Sequence, residues 1–428
     1  MNRALAFIFD KHSKQSIASL IGTLEADERF RELCIVLLKP GPDLAERIEA
    51  LALRHDWIGV GFSFTTPRAP DVFDVVQRVR QNLPARTRAK TALIAGGPHP
   101  SGDWRQTLAM GFDVVVVGEG ERSFPALLLA LWEGGSLRHI RGLAYRGDGQ
   151  ACFTGRAEHV QDLDDCPPFA ARFGLFSSIE ITRGCPWACR FCQTSFLFGA
   201  HMRHRSVDNI IRWVEMSRQL DRPEIRFVTP DAFAYGSEGG QPRLDRLAEM
   251  LRTVNQIVGR DHTYLGSFPS EVRPESVSPE AVELVRAYAA NDNLVIGAQS
   301  GSQRMLDLAH RGHTVEDIYR AVRLTIEAGL TANVDLIFGM PGETEKDQQA
   351  TLKVMQDLAA LGARIHSHAF MPLAGTPWAR SQPGVVDSQT ECLLENLAGR
   401  GQHFGQWRQQ QRAWQAAAGL RASLSGES

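Results

Sequence analysis

Three of the seven cysteines, Cys185, Cys189 and Cys192, fall on one short stretch, SIEITRGCPWACRFCQTS, with the spacing C-x3-C-x2-C. Thiolates are soft ligands, and three on one loop can hold three irons of a 4Fe-4S cubane while the fourth iron keeps an open position. A structural zinc ion usually takes four protein ligands. His201 and His204 follow nearby, so a Cys3His zinc site is the competing reading. The C-x3-C spacing and the flanking Gly184, Pro186 and Phe191 speak for a loop wrapped around a cluster. Cys34, Cys152, Cys166 and Cys392 are scattered and read as small buried hydrophobes or inert thiols. Seven cysteines in 428 residues are too few for a disulfide framework.

The cysteine loop needs a scaffold, and the flanking sequence predicts one. From about residue 175, SSIEITRG, EIRFVTPDAF, TYLGSFPSEV, LVIGAQSGS, TANVDLIFGMPG and RIHSHAFMPLAGTP each end in a polar or glycine-rich loop and are separated by helical stretches. Six βα repeats imply an open, partial parallel barrel of the TIM type, with its site at the carboxyl ends of the strands. Upstream, ALAFIF, CIVLL, WIGVGFSF, TALIAGG and DVVVVGEG read as five strands of a Rossmann-like, doubly wound parallel sheet. GLAYR and ACFTGR read as a short strand pair, followed by the acidic, proline-bearing QDLDDCPPF. The expected α/β organisation is thus a doubly wound domain over 1–140, a linker over 141–174, a partial (β/α)6 barrel over 175–383, and a short helical carboxyl-terminal segment over 384–428.

A second set of candidate residues rims the first sheet. Ser63 and Thr65 in GFSFTT, Gly96 and Gly97 in IAGGPHPSG, and Gly118, Glu119 and Gly120 in VVVVGEGERSFPALL follow its third, fourth and fifth strands. Paired glycines let a bulky ligand approach the backbone, and hydroxyls can bond a nucleotide tail. On physical grounds this is a generic nucleotide-like pocket.

The cysteine spacing after the first strand of a partial barrel resembles the radical S-adenosylmethionine (SAM) superfamily. The resemblance implies that the open iron chelates SAM and that reductive cleavage gives a 5′-deoxyadenosyl radical. It further implies that Phe191, before the third cysteine, contacts adenine. FVTPDAF occupies the second-strand position, where the family helps hold the amino group of SAM; here it offers Asp231 and lacks the common Gly-Gly-Glu. IGAQSGSQRML corresponds to the segment that contacts the SAM ribose, with Gln299 in place of the usual Glu and Ser300 after it. VDLIFGMPGET matches the Gly-x-Pro-Gly segment near adenine through Gly339, Pro341 and Gly342. Arg273 is available either to pair with the SAM carboxylate or to form a structural ion pair. The resemblance covers about 175–380.

The three glycine-bearing loops of the first domain, as a set, resemble the cobalamin-binding domain that precedes the barrel in one large radical SAM class. Members that ligate cobalt from below carry Asp-x-His-x-x-Gly after the first strand. This chain has Asp10-Lys11-His12-Ser13-Lys14-Gln15, without the glycine, so His12 is expected not to be a cobalt ligand. The implied cofactors are a 4Fe-4S cluster, SAM and cobalamin. The implied reaction is methyl transfer to an unactivated carbon through the radical and methylcobalamin. Radical cyclisation or rearrangement, and a non-catalytic cluster or cobalamin sensor, are the alternatives.

Composition sets outer bounds. With 47 Lys+Arg against 49 Asp+Glu the net charge is −2, a balance that argues against a strong nucleic-acid footprint, so no nucleic-acid partner is expected. The apolar run Ala4–Phe9 is too short for a signal-peptide core, and nothing elsewhere approaches a membrane span. A cytoplasmic enzyme acting on a small molecule, fed by a one-electron reductant such as flavodoxin or ferredoxin, is the expectation. Trp407 and Trp414 near the carboxyl end either cap the site or anchor helix packing.

Overall fold

A computed structural model describes residues 2–147 and 149–425. The first sheet contains β1 (Arg3–Ile8), β2 (Cys34–Leu38), β3 (Trp57–Ser63), β4 (Thr91–Gly96), β5 (Val114–Val116), β6 (Leu143–Gly147) and β7 (Gln150–Phe153) in the order β2-β1-β3-β4-β5-β6-β7. β1 to β5 are parallel, and the strand pair β6–β7 continues the sheet antiparallel from β5. Ala4, Leu5, Ala6 and Phe7 are all buried, as a strand covered by helices on both faces requires. The strand order reverses at β1, so the loops after β1 and β3 open a crevice at the carboxyl edge.

The second unit begins with β8 (Ile179–Glu180) and the short antiparallel pair β9 (Thr182–Arg183) and β10 (Arg203–His204). β11 (Ile225–Val228) pairs in parallel with β8 and with β12 (Thr263–Tyr264). β13 (Asn293–Gln299), β14 (Thr331–Phe338) and β15 (Arg364–Ala369) continue in parallel, and a Val272–Ile296 bridge joins the two arcs. Val334, Leu336 and Phe338 are buried in the helix-packed core, while the alternate positions Asn333 and Asp335 face the lumen cavity.

The carboxyl-terminal segment is more than helical. Between the helices Ser388–Gly399 and Trp407–Ser425 lies β16 (His403–Phe404), parallel to β15. Two residues bracketed by Gly401 and Gly405, both with positive φ, carry no periodicity; pairing to the open edge of β15 makes them a strand. The last helix straps the units together. Trp407 lies in the barrel core and Leu420 in the core of the first sheet, so Trp407 is a packing anchor. Trp414 is also buried. The two units also meet at Gly102, where a Cβ would lie 2.2 Å from the Ala374 carbonyl oxygen. Among the described residues no helix is long and apolar enough to cross a membrane.

Candidate active site

The cysteine loop follows β9 and is folded by its own polar groups. Gly184 has φ +91°, and a Cβ there would meet the His201 carbonyl oxygen at 2.1 Å, so the turn into the loop requires glycine. Ser195 Oγ donates to the Cys185 carbonyl at 2.6 Å and accepts from the Ala188 N–H at 3.1 Å. Cys192 N–H donates to the Cys189 carbonyl at 3.0 Å. All three cysteines line one cavity of about 1500 Å³ that continues into the barrel lumen. Burial raises the thiol pKa of Cys185, and that of Cys192 to about 11. Such thiols need a bound cation to be held as thiolates. Three sulfurs open to one cavity fit a cluster. Both ring nitrogens of His204 are engaged, Nδ1 with Thr182 Oγ1 at 2.9 Å and Nε2 with the Ser237 carbonyl at 2.7 Å, which opposes its use as a zinc ligand.

Sequence reasoning missed Arg311. Its buried guanidinium donates to Cys189 Sγ at 3.5 Å and to the Gly297 carbonyl at 2.6 Å. No motif weighed in the sequence flags it, because only folding brings it to the cysteine 122 positions away. Arg273 also lines the cavity, but it is ion-paired with Glu275 at 2.5 Å, donates to the Arg311 carbonyl and lies 4.0 Å over Trp187. Arg273 is thus engaged by groups of the protein itself.

The remaining barrel candidates divide. Phe191 packs against the cluster that holds Met305 and Met340, so the third-cysteine neighbour and the GMPG loop come together. Gly339 has φ +74°, and a Cβ there would strike Gly384 Cα at 2.5 Å; backbone packing demands this glycine. Gly342 also has positive φ, and its carbonyl accepts from Arg304 at 2.6 Å; Pro341 lies between the two glycines. Gln299 is buried in the left-handed region at φ 70°. Ser300 Oγ lies 3.2 Å from Thr351 Oγ1 and accepts the Ser302 N–H; its hydroxyl braces the loop. Asp231 is buried and accepts from Ser276 Oγ at 2.6 Å and from the Phe233 N–H at 3.2 Å; burial raises its pKa to about 6. The cavity walls from that loop are Thr229 and Pro230 instead.

At the crevice of the first sheet lies a cavity of about 310 Å³, and Ser63, Thr65, Gly96, Gly97, Gly118, Glu119 and Gly120 all line it. Gly118 has φ +91° with nothing within 4 Å of its added Cβ, so a bulky ligand has free approach to its backbone. Glu119 has a further task. Burial would raise its pKa, but hydrogen bonds and charge from Arg203 and Arg183 outweigh this and lower it. Its oxygens accept from Arg203 at 2.7 Å and from the Val160 N–H at 2.7 Å, tying the pocket rim to the barrel. The barrel itself contributes Glu180, Arg183, Leu197, Phe198 and Val228 to this pocket. His12 and Gln15 line both this pocket and the cluster cavity. Gln15, which stands where a glycine was absent from the expected motif, donates to the Ser178 carbonyl at 2.9 Å.

Residues 179–355 match the model of the Radical SAM superfamily, and residues 11–128 match that of the B12 binding domain. The chain is a cobalamin-binding radical SAM enzyme. A 4Fe-4S cluster, SAM and cobalamin are its cofactors, and the open cysteine trio and the glycine-rimmed crevice fit them. Among relatives of this radical SAM enzyme is an uncharacterized methyltransferase of Pyrococcus horikoshii, 25% identical over 367 residues, 83% of this chain and 72% of the relative. A probable threonylcarbamoyladenosine tRNA methylthiotransferase of Archaeoglobus fulgidus is 33% identical over 234 residues, 53% of each chain. The fold is similar to that of TsrM, a radical SAM methyltransferase from Kitasatospora setae solved with cobalamin and a [4Fe-4S] cluster, at a TM-score of 0.67 and 16% identity, covering 88% of this chain and 74% of that one. It is also similar to the cobalamin-dependent enzyme OxsB with aqua-cobalamin bound, at a TM-score of 0.63 and 16% identity, covering 83% and 52%.

Proposed function

We propose that this enzyme transfers a methyl group to an unactivated carbon of a small molecule. The observation that carries the reading is the junction of the two cavities, since His12 and Gln15 form walls of both. When bound, the cluster and SAM supply radical chemistry and the cobalamin supplies the methyl group. The chain's part is to hold these within reach of one substrate carbon and to exclude water, which is where proximity lowers the barrier. Cys185, Cys189 and Cys192 hold the cluster. Phe191, packed against the cluster that holds Met340, is the aromatic side chain for adenine, and Gly339, Pro341 and Gly342 shape the adjoining loop. Gln299 and Ser300 set the strand end near the ribose. Thr229, rather than Asp231, meets the amino end of SAM, and Arg311, rather than Arg273, is the cation beside the cluster. Ser63, Thr65, Gly96, Gly97, Gly118 and Gly120 receive the corrin and its nucleotide tail.

The relative named as a methyltransferase supports methyl transfer over rearrangement. An external one-electron donor of the flavodoxin or ferredoxin kind completes the system. The test is anaerobic reconstitution with iron, sulfide, cobalamin and SAM, followed by mass analysis of a pool of small molecules. Formation of S-adenosylhomocysteine together with 5′-deoxyadenosine, and of a product one methylene heavier than its precursor, is the expected result. 5′-Deoxyadenosine without S-adenosylhomocysteine would replace methyl transfer by rearrangement.

A further inference from the structure

Asp335 and His366 line the cavity that holds the cysteines, and none of the roles above uses them. They are register partners on β14 and β15, and His368 lies two residues beyond His366 on the same face. His366 Nδ1–H donates to Asp335 Oδ1 at 2.8 Å, and His368 Nε2 faces Asp335 Oδ2 at 3.8 Å.

Two imidazoles and a carboxylate this close could hold a metal ion, but Gln410 decides otherwise. Its side-chain carbonyl accepts the Ala369 N–H at 3.0 Å, a donor that cannot be reversed, so its amide nitrogen donates to His368 Nδ1 at 3.0 Å. His368 therefore carries its proton on Nε2, directed at Asp335, and has no lone pair for a metal. Burial would raise the pKa of Asp335, but hydrogen bonds from the two histidines outweigh it and lower it. The carboxylate thus orients His366 through Nδ1, and in the neutral imidazole this leaves Nε2 as the acceptor. The ring is fixed flat against Phe404, 4.4 Å between centroids at 7°, and edge-on to His368 at 4.2 Å. An acceptor on the lumen wall that lacks a donor selects a ligand that brings one.

We propose that His366 Nε2 recognises an N–H or O–H group of a small polar substrate in the barrel lumen, with Asp335 and His368 as positioning residues. This rests on the reading of the lumen as the substrate cavity and adds the chemistry of the group bound there. The test needs no turnover, so it can fail while methyl transfer stands.

The anaerobically reconstituted enzyme is treated with diethyl pyrocarbonate, which acylates unprotonated imidazole nitrogen, and modification is followed by peptide mass spectrometry. His366 should react faster than His368. Phenol should protect His366 at about fivefold lower concentration than anisole, and pyrrole at about fivefold lower concentration than N-methylpyrrole, the ratio expected for one hydrogen bond. Protection by phenol alone would assign an O–H group, and by pyrrole alone an N–H group. Equal protection within both pairs, no protection by any probe, or a His366 no faster than His368 would overturn the proposal. So would a metal equivalent beyond the cluster iron that disappears in His366→Ala.

Discussion

At the residue scale, the cysteine spacing was legible because three cysteines on one loop are a local pattern, whereas Arg311 was not, because its partner is far away in the chain. Its guanidinium donates to Cys189 Sγ, and a buried cation hydrogen-bonded to a cluster sulfur favours the reduced, more negative cluster. A charge-assisted hydrogen bond of about 1.5 kcal/mol corresponds to roughly 60 mV for one electron. Arg311→Met is therefore expected to lower the cluster midpoint by about that amount in a potentiometric titration read by paramagnetic resonance. An unchanged midpoint at equal cluster content would count against a role for the cation. His12 gives the second prediction at this scale. Its loop is closed by Asp10 Oδ1, which accepts the N–H groups of His12 and Ser13 at 2.8 and 3.0 Å, and Gln15 fills the place of the missing glycine. The bound cob(II)alamin should show no nitrogen superhyperfine pattern from a histidine below cobalt. A pattern that vanishes in His12→Ala would prove the opposite.

At the element scale, the strand runs were readable because each is a short β-branched or aromatic segment ended by a glycine or polar loop. What the sequence did not disclose was which loop residues would face a cavity. Asp231 sits in the expected loop, yet it is bonded to Ser276 and lines neither cavity, while Glu119 lines the crevice and also ties its loop to Arg203. Conversely, the alternation in TANVDLIF and RIHSHA placed Asp335 and His366 in the lumen, a signal present in the strand period but not attached to any motif. Strand β16 had no signal at all, being defined by its neighbour. The glycine loops allow a direct test of the corrin pocket. Gly97 is a poor place to fill it, since a Cβ there meets Ser63 Oγ at 2.7 Å, while at Gly118 it meets nothing within 4 Å. Gly118→Phe should therefore cost only the roughly 1–2 kcal/mol of a side chain at positive φ, while its ring occupies the crevice. The expected outcome is loss of copurifying cobalamin absorbance with the cluster content unchanged. Retention of cobalamin at wild-type stoichiometry would move the binding site elsewhere.

At the scale of the whole molecule, the first sheet and the barrel are locked by contacts that a linear reading treats as loop residues. His99, from the GGPHP segment, does not face the corrin crevice; it is buried at the unit boundary with Nδ1 3.2 Å from Thr66 Oγ1, and burial pushes its pKa down to about 4. An unfolded histidine titrates near ~6.5, so the unfolded chain binds the extra proton between these values. The stability from a neutral His99 is thus complete above pH ~6.5 and lost as the pH falls toward 4, about 2 kcal/mol of it by pH ~5. Glu271 and Glu343, both raised to about 7 by burial, act in the opposite sense, so the comparison must be wild type against His99→Gln. The variant is expected to lose less stability on acidification in denaturant titrations, and equal losses would refute the assignment. Gly102 tests what the docking is for. A Cβ there would press on the Ala374 backbone, with its oxygen at 2.2 Å and its carbonyl carbon at 2.3 Å, neither of which can turn aside as a side chain would. Gly102→Val should wedge the first sheet away from the barrel and so change the spacing of the two units. The cysteine loop, folded by Ser195 and its own backbone, should still assemble its cluster and cleave SAM. Methyl transfer to the substrate should fall by about a hundredfold, since a displacement of ~1 Å at a reacting centre costs that much. Parallel loss of SAM cleavage would show instead that the barrel itself had been damaged, and unchanged methyl transfer would show that the spacing of the two units does not govern the reaction.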